Sequence, residues 1–260
     1  MPGPQTCLQW ADSMRAILDK LGNALLDLAL PPRCHLCRCS IPQAGPIHLC
    51  QDCRNNLTEV VSPCCTICGR PFTGAVADHP CGACLQQHPP WEHARAAFSY
   101  EGGCQELIQA FKYRNRFHLR RSLALLTAER LATFAANCRA DLLIPVPLHP
   151  RRLRMRGFNQ ALLLAEVLAD SWQLPLLRQG LRRSRNTTSQ TRLSATERAA
   201  NLRGAFSVPD PAAILGKRIV LVDDVFTTGS TLAECSRCLL KAKAASVCCV
   251  TVARAPDPAA

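Results

Sequence analysis

Long apolar runs are missing from this chain, and no stretch approaches the roughly eighteen residues that a membrane span needs. The first twenty residues, MPGPQTCLQWADSMRAILDK, also lack a basic start followed by an apolar run. Neither a bilayer anchor nor a secretory leader is therefore expected, and the expected compartment is the cytoplasm. Aromatic residues are scarce, at 5% of the 260. The few that accompany the arginines, Phe117 and Phe158, weigh against a base-stacking surface. Acidic residues are scarce in one segment: between Lys112 and Arg203 there are 18 Lys and Arg against 5 Asp and Glu. That surplus exceeds the +12 of the whole chain, so a polyanion is expected near this segment. A hydrophobic content of 48% excludes disorder over most of the length and suffices for one large or two small domains.

Cysteine is the opposite case. Seventeen of them in a chain expected in the cytoplasm point to metal or buried thiols rather than disulfides. Cys34, Cys37, Cys50 and Cys53 form C-x2-C-x12-C-x2-C, and Cys65, Cys68, Cys81 and Cys84 repeat it 31 residues later. Each CxxC offers two thiolates from a tight knuckle, and two knuckles complete a tetrahedral Zn²⁺ site. With four cysteines per site and no open position, the zinc reads as structural. These segments hold few large apolar residues, so the metal would supply their folding energy. Spacing leaves open whether each repeat closes its own site or the knuckles pair across repeats. Cys39, Cys64, His48 and His79 are further donors nearby. Cys235 and Cys238 form another CxxC, but within a helical pattern; with Cys248 and Cys249 they read as small buried residues.

The stretch Ile219 to Thr231, IVLVDDVFTTGST, organises the rest. Ile219 to Val222 read as a buried strand with Asp223 and Asp224 at its C-terminal end. A small-residue loop, Thr227, Thr228, Gly229, Ser230 and Thr231, leads into a helical pattern over Leu232 to Leu240. Open α/β sheets bind ligands beyond the carboxyl ends of their strands. Backbone N–H groups converging at a helix N-terminus suit a phosphate, and two carboxylates suit vicinal ribose hydroxyls or an adjacent Mg²⁺. The chemistry reads as a ribose 5-phosphate site.

Elsewhere, Trp10 to Leu28 carry a one-sided apolar stripe, an amphipathic helix whose mixed polar face favours packing over anionic lipid. Pro31 and Pro32 end it, and Pro89 and Pro90 mark a second boundary. Ala94 to Tyr100 read as a strand, Cys104 to Tyr113 and His118 to Asn137 as helices, and Asp141 to Pro147 as another buried strand. The last opens into a basic loop with Arg151, Arg152, Arg154 and Arg156 ahead of Gly157, placed to meet pyrophosphate. A helix over Asn159 to Trp172 follows. Residues 181 to 204 are polar, basic and weakly periodic, as a lid over a charged ligand would be. Ser246 to Arg254 form the last strand.

The 219–231 stretch closely resembles the motif by which type I phosphoribosyltransferases bind phosphoribosyl pyrophosphate (PRPP). The order of IPVP strand, basic loop, helix, polar loop and LVDDVFTTGST is similar to the transferase half of amidophosphoribosyltransferases. The sequence shows neither a glutaminase domain nor an N-terminal nucleophilic cysteine, so glutamine-dependent amination is not expected. With the zinc repeats, PVPLHP, RGFNQ and QTRLSATERAAN, the chain from Pro31 to Arg254 resembles the ComF/GntX family of bacterial proteins, implicated in the uptake and use of external DNA.

The resemblance implies an α/β fold: a type I phosphoribosyltransferase-like parallel sheet flanked by helices. A small double zinc-ribbon domain, with four cysteines to each ribbon, and the N-terminal amphipathic helix precede it, giving boundaries at 1–30, 31–90 and 91–256. It implies PRPP bound with Mg²⁺, and Asp223, Asp224 and Arg156 in the catalytic role. Asp223, Asp224 and Thr227 to Thr231 would hold the phosphate and ribose. Arg151, Arg154, Arg156, Gly157, Gln190, Arg192 and Arg198 would meet the pyrophosphate or form the lid. DNA-uptake proteins are the implied partners. Two rivals are a PRPP- or nucleotide-sensing adaptor without turnover, and a protein that binds single-stranded DNA through the basic segment.

Overall fold

The computed structural model describes residues 31–41, 45–114, 116–185 and 202–256. The expected helix within 1–30 and the lid residues Gln190, Arg192 and Arg198 lie outside the described residues. By packing, the chain divides after Arg54 into two compact units.

The cysteine repeat holds at the level of individual hydrogen bonds. In the first copy Cys34 N–H donates to Cys39 O, Arg38 N–H to Cys34 O and His35 N–H to His48 O. In the second, each bond recurs 31 residues on: Cys65 to Arg70, Gly69 to Cys65 and Thr66 to His79. The short helices α1 (Gln51–Asn55) and α2 (Gly82–Gln86) close the copies at the same offset.

One position separates the two knuckles. The residue after the second cysteine is left-handed in both, with φ 65° at Arg38 and 69° at Gly69. Glycine adopts this conformation freely, whereas a residue with a Cβ is strained by about 1 kcal/mol. Gly69 is also held by space, because a Cβ there would stand 2.6 Å from the Ala94 carbonyl oxygen. Arg38→Gly should therefore tighten zinc binding at the first site about threefold to fivefold in competition with a chromophoric chelator. Gly69→Ala should weaken the second site, and equal affinities for wild type and both variants would remove the argument.

From Asn55 onward a four-stranded parallel sheet forms, in the order β1 (His93–Ser99), β6 (Ser246–Arg254), β5 (Arg218–Phe226), β2 (Leu142–Pro145). Parallel strands need crossovers, and helices supply them. They are α3 (Gly102–Tyr113), α4 (Leu119–Arg130), α5 (Ala132–Asn137), α6 (Pro150–Arg156), α7 (Gln160–Trp172) and α8 (Ser230–Lys241). The middle strands β5 and β6 read as continuous apolar runs because both faces are covered: Ile219 to Val222 are at most 1% exposed. Trp172 Nε1 donates to Ala128 O at 3.2 Å, tying α7 to α4.

Four expectations change. The helix over His118 to Asn137 is two, broken at Leu131 (φ −104°, ψ 16°). The basic loop is largely the helix α6, started by Pro150 and ended by Gly157 at φ 80°. Strand β5 does not stop at Val222 but pairs with β6 through Phe226, opposite Arg254. The polar stretch from 181 has ordered ends, since β3 (Arg182–Arg183) pairs antiparallel with β4 (Phe206–Ser207).

Among the described residues no helix is long and apolar enough to cross a membrane. Cys235, Cys248 and Cys249 are buried, Cys238 is half-buried, and none of the four joins a metal-holding cluster among the described residues.

Candidate PRPP site and zinc ribbons

The two neighbours of β5 end at different points. Strand β2 stops at Pro145, opposite Val222, and Val146 N–H donates to Val222 O at 2.9 Å. On the β6 side pairing continues, with Asp223 opposite Thr251. The acids are therefore held in extended backbone by one neighbour and left uncovered by the other. Open sheets bind ligands at such a carboxyl end, beyond a strand that outruns its neighbour.

Two carboxyls so close, out of bulk water, cannot ionise independently. Burial first, and then the charge of Asp224, push the Asp223 carboxyl up to about 7. The Asp224 N–H donates to Asp223 Oδ1 at 2.9 Å. Asp224 has a different partner: Lys112 Nζ, from the last turn of α3, lies 3.0 Å from its Oδ2. Both side chains are largely buried, 15% and 12% exposed. Burial alone would lower the Lys112 ammonium, but Asp224, with Asp223 behind it, raises it instead.

Sequence reasoning placed Lys112 in a cationic cluster and missed its contact with the acids. The available signal was a lysine in the last turn of the helix that follows β1. Its target is 112 positions further on and follows from no local pattern.

Arg183 on β3 is 5% exposed, with its guanidinium 5.4 Å from the Phe206 ring centroid. Burial, then the nearby Arg152, lower its pKa, and Asp223 acts in the opposite sense. The acids, Lys112, Arg183 and Arg152 thus form one electrostatic neighbourhood at the sheet edge. Arg156 is turned to another task, its guanidinium 5.0 Å from the Tyr113 ring centroid. Arg151 and Arg154 are exposed on α6. His149 caps that helix by accepting from Arg151 N–H at 3.2 Å, and Asn159 caps α7 by accepting from Ala161 N–H at 3.1 Å.

Beyond Phe226 the chain turns through Thr227, Thr228 and Gly229 into α8. Gly229 has φ 74°, and a Cβ there would lie 2.7 Å from Phe226 Cζ, so only glycine fits this turn. The Thr228 and Ser230 hydroxyls are 2.9 Å apart, and Ala233 N–H donates to Gly229 O at 2.8 Å. Ser230 N–H lies 3.5 Å from Thr228 Oγ1, so the turn gathers hydroxyls and the N-terminus of α8 at one point, chemistry suited to a phosphate.

The zinc question that spacing left open is settled by distance. Within each repeat the four Sγ atoms lie within 4.8 Å of one another, so each repeat closes its own site. Tetrahedral Zn–S bonds of about 2.3 Å put sulfurs about 3.8 Å apart. Cys37 to Cys50 is 3.6 Å and Cys68 to Cys81 is 3.8 Å. Knuckle N–H groups point at the sulfurs, Cys50 at Cys34 (3.4 Å) and Cys81 at Cys65 (3.2 Å). The residues fit structural zinc. His48 stacks on His35 and His79 on Phe72, outside both clusters, while Cys64 N–H donates to Asp78 at 2.7 Å. Cys39 lies 3.3 Å from Cys37, a fifth thiol beside the first site.

The sites differ in burial. In the first only Cys34 is buried, whereas in the second all four cysteines are.

An open parallel sheet, an acid pair at its edge and a threonine- and glycine-rich loop at the next helix, combined with two four-cysteine clusters, define a phosphoribosyltransferase-fold protein carrying a double zinc ribbon. The family descriptions agree: "Double zinc ribbon domain" matches residues 25–85 and "Phosphoribosyl transferase domain" residues 154–260. The chain belongs to the ComF/GntX family. The DNA utilization protein YhgH of Escherichia coli (strain K12) is 35% identical over 224 residues, 85% of this chain and 96% of that protein. Competence protein F of Haemophilus influenzae is 37% identical over 218 residues, 80% of this chain and 91% of that protein. Among solved structures, one described as the allosteric regulatory enzyme of purine biosynthesis aligns at 23% identity with a TM-score of 0.32, covering 48% of this chain and 25% of that one.

Proposed function

We propose that this protein binds PRPP beyond the end of β5 and displaces pyrophosphate from its C1. One observation carries the reading: the acid pair Asp223 and Asp224 and the Thr227–Thr231 loop follow one another at the carboxyl end of β5, where an open sheet binds its ligand. Thr227, Thr228, Gly229, Ser230 and Thr231 hold the phosphate through N–H and hydroxyl groups. Asp223 and Asp224 accept from the ribose hydroxyls. In the displacement the C1–O bond to pyrophosphate breaks, the electron pair leaves with pyrophosphate, and the acceptor's lone pair bonds to C1.

Positioning and charge stabilisation supply the rate for such an oxocarbenium-like transition state. Asp223 and Asp224 would hold a Mg²⁺ ion brought with PRPP, which would supply charge neutralisation for the departing pyrophosphate. Lys112, Arg183 and Arg152 are the cations already at that edge. Arg151, Arg154 and Gly157 lie on or beside α6, and Arg156 would have to leave Tyr113 to join them.

Calorimetric titration with PRPP and Mg²⁺ tests binding, and pyrophosphate release with candidate bases or amines tests turnover. Binding by wild type and at least about tenfold weaker binding by Gly229→Ala are expected. No heat with PRPP would remove the reading.

The names of the relatives support a role in the uptake or use of external DNA, with DNA-uptake proteins as partners. The clustered thiols support action in the reducing cytoplasm.

A second reading, single-stranded DNA binding, gains from one feature of the fold. Phe158 is buried, but Tyr113 (71% exposed) and Phe117 (43% exposed) stand at the surface, with Arg156 stacked on Tyr113. Stacked aromatics beside arginines suit unpaired bases. Affinity for a labelled oligothymidylate should fall steeply with salt, and Tyr113→Ala should lower it about tenfold. Salt-independent binding, or none, would leave PRPP as the ligand.

A further inference from the structure

The second zinc ribbon and the phosphate loop share a wall. Phe226, the last residue of β5, directly precedes the loop, and its ring fills the space beside Gly229. Trp91 Cη2 closes the same space, 3.1 Å from where a Gly229 Cβ would stand. Trp91 meets Phe226 edge to face, with centroids 5.8 Å apart at 82°. On Phe226 also lies Arg254, its register partner on β6, with the guanidinium 4.4 Å from the ring centroid. Arg254 Nη1 donates to the carbonyl oxygen of Cys68 at 2.9 Å. Cys68 is one of the four thiols of the second cluster.

From the zinc-holding knuckle to the loop there are three contacts: a hydrogen bond, a stacked cation and a packed ring. Every member is buried, with Cys68 8%, Arg254 7%, Phe226 6% and Trp91 5% exposed. The knuckle is tied at a second place as well, because Ala94 N–H donates to Ile67 O at 2.7 Å and Arg95 Nη1 to Cys65 O at 3.2 Å.

Resting on the PRPP reading above, we propose that the second zinc ribbon is a positioning element of the PRPP pocket. Its knuckle fixes Arg254, Arg254 fixes Phe226, and Phe226 with Trp91 fixes the turn at Gly229. Close-packed interiors transmit displacement rather than absorb it. A phosphate grip made of backbone N–H groups needs that turn held in place before the ligand arrives. Coupling of this kind is reciprocal. Zinc on Cys65, Cys68, Cys81 and Cys84 tightens PRPP, and PRPP retains that zinc.

The test uses the zinc-loaded full chain, challenged with a zinc-selective chelator in excess Mg²⁺. Released thiols are alkylated and read cysteine by cysteine by peptide mass spectrometry, and PRPP binding is measured by calorimetry on the same preparation. Saturating PRPP should slow labelling of the second cluster about tenfold. Arg254→Met should bring labelling with and without PRPP to within twofold while the protein still carries two zinc ions. If that variant does not fold, Arg254→Lys, which keeps a donor but not the planar stack, should lose most of the protection. Calorimetric binding of PRPP with unchanged labelling would overturn the proposal and leave the PRPP site standing. No binding at all would overturn both.

Discussion

Asp223→Asn should melt higher than wild type at pH 8 and lose PRPP. The carboxyl is pushed from 3.8 up to about 7 by burial and by Asp224. A group whose folded pKa is raised contributes fully below its unfolded pKa, and that contribution is lost as pH rises through the folded pKa. For Asp223 the loss runs from about pH 4 to about pH 7, so at pH 8 the empty site carries an unfavourable buried charge. Its cost is on the order of 2 kcal/mol, taking part of the full shift. Asparagine removes the charge and keeps an oxygen to accept the Asp224 N–H. The melting midpoint should rise by about 4–8 °C at pH 8 and change little at pH 4.

Accepting two ribose hydroxyls needs the ionised carboxylate, so wild-type PRPP affinity should climb as pH passes upward through about 7. The variant should bind at least about a hundredfold more weakly at pH 8.5, and the gap should narrow toward pH 5.5 as the wild-type carboxyl takes up its proton. Scanning calorimetry at the two pH values and a PRPP titration across pH 5.5–8.5 check this. A variant less stable at pH 8 would show that Asp223 is held by partners rather than strained by its surroundings. Asp224 is the poorer target, because removing it strands the buried Lys112 ammonium at a cost of roughly 3–5 kcal/mol.

Cys68→Ser should damage the larger unit far more than Cys37→Ser. Cys65, Cys68, Cys81 and Cys84 belong to the same buried cluster as Trp91, Ala94, Phe226, Leu232, Val247 and Cys249. The second zinc therefore staples part of the sheet's own core. Losing it leaves buried thiols without a partner and loosens Arg254, which is bonded to Cys68 and stacked on Phe226. A structural zinc supplies roughly 10–16 kcal/mol of apparent binding energy in small zinc-dependent folds. Losing even a quarter of that lowers the main transition by about 10 °C. Cys37 belongs to the more exposed cluster within the Met1–Arg54 unit, and its serine variant should forfeit one zinc with the main transition moved by about 2 °C or less. Calorimetry paired with metal analysis separates the cases, and equal drops for the two variants would contradict the packing argument.

Much of the fold was legible because its signals are local. Ile219 to Val222 and Ser246 to Arg254 are apolar runs that only a strand covered on both faces can bury, and β6 has the bounds the sequence predicts. The helix α6 was legible too, and was passed over: Pro150 at its first turn and Gly157 just past its end are start and stop signals, but the arginines between them read as a loop. The break at Leu131 carries no proline or glycine, so nothing in the sequence marks it. The extension of β5 through Asp223 and Asp224 depends on β6 lying alongside, since two acids in succession argue against a strand until a neighbour's hydrogen bonds hold them there.

By itself, the sequence determined the order of the chemistry-bearing groups: eight thiols in two matched sets, an acid pair, a threonine- and glycine-rich loop, and the strands and helices that carry them. These follow from side-chain type and short spacing, which act over a few residues. The tertiary structure alone decided which thiols share a metal, that Lys112 meets Asp224 across 112 positions of chain, and that the second ribbon packs into the sheet's core beside Phe226. Each is a distance between residues far apart in sequence. Such distances arise only when burial and backbone pairing bring separate elements together, and no local pattern encodes them.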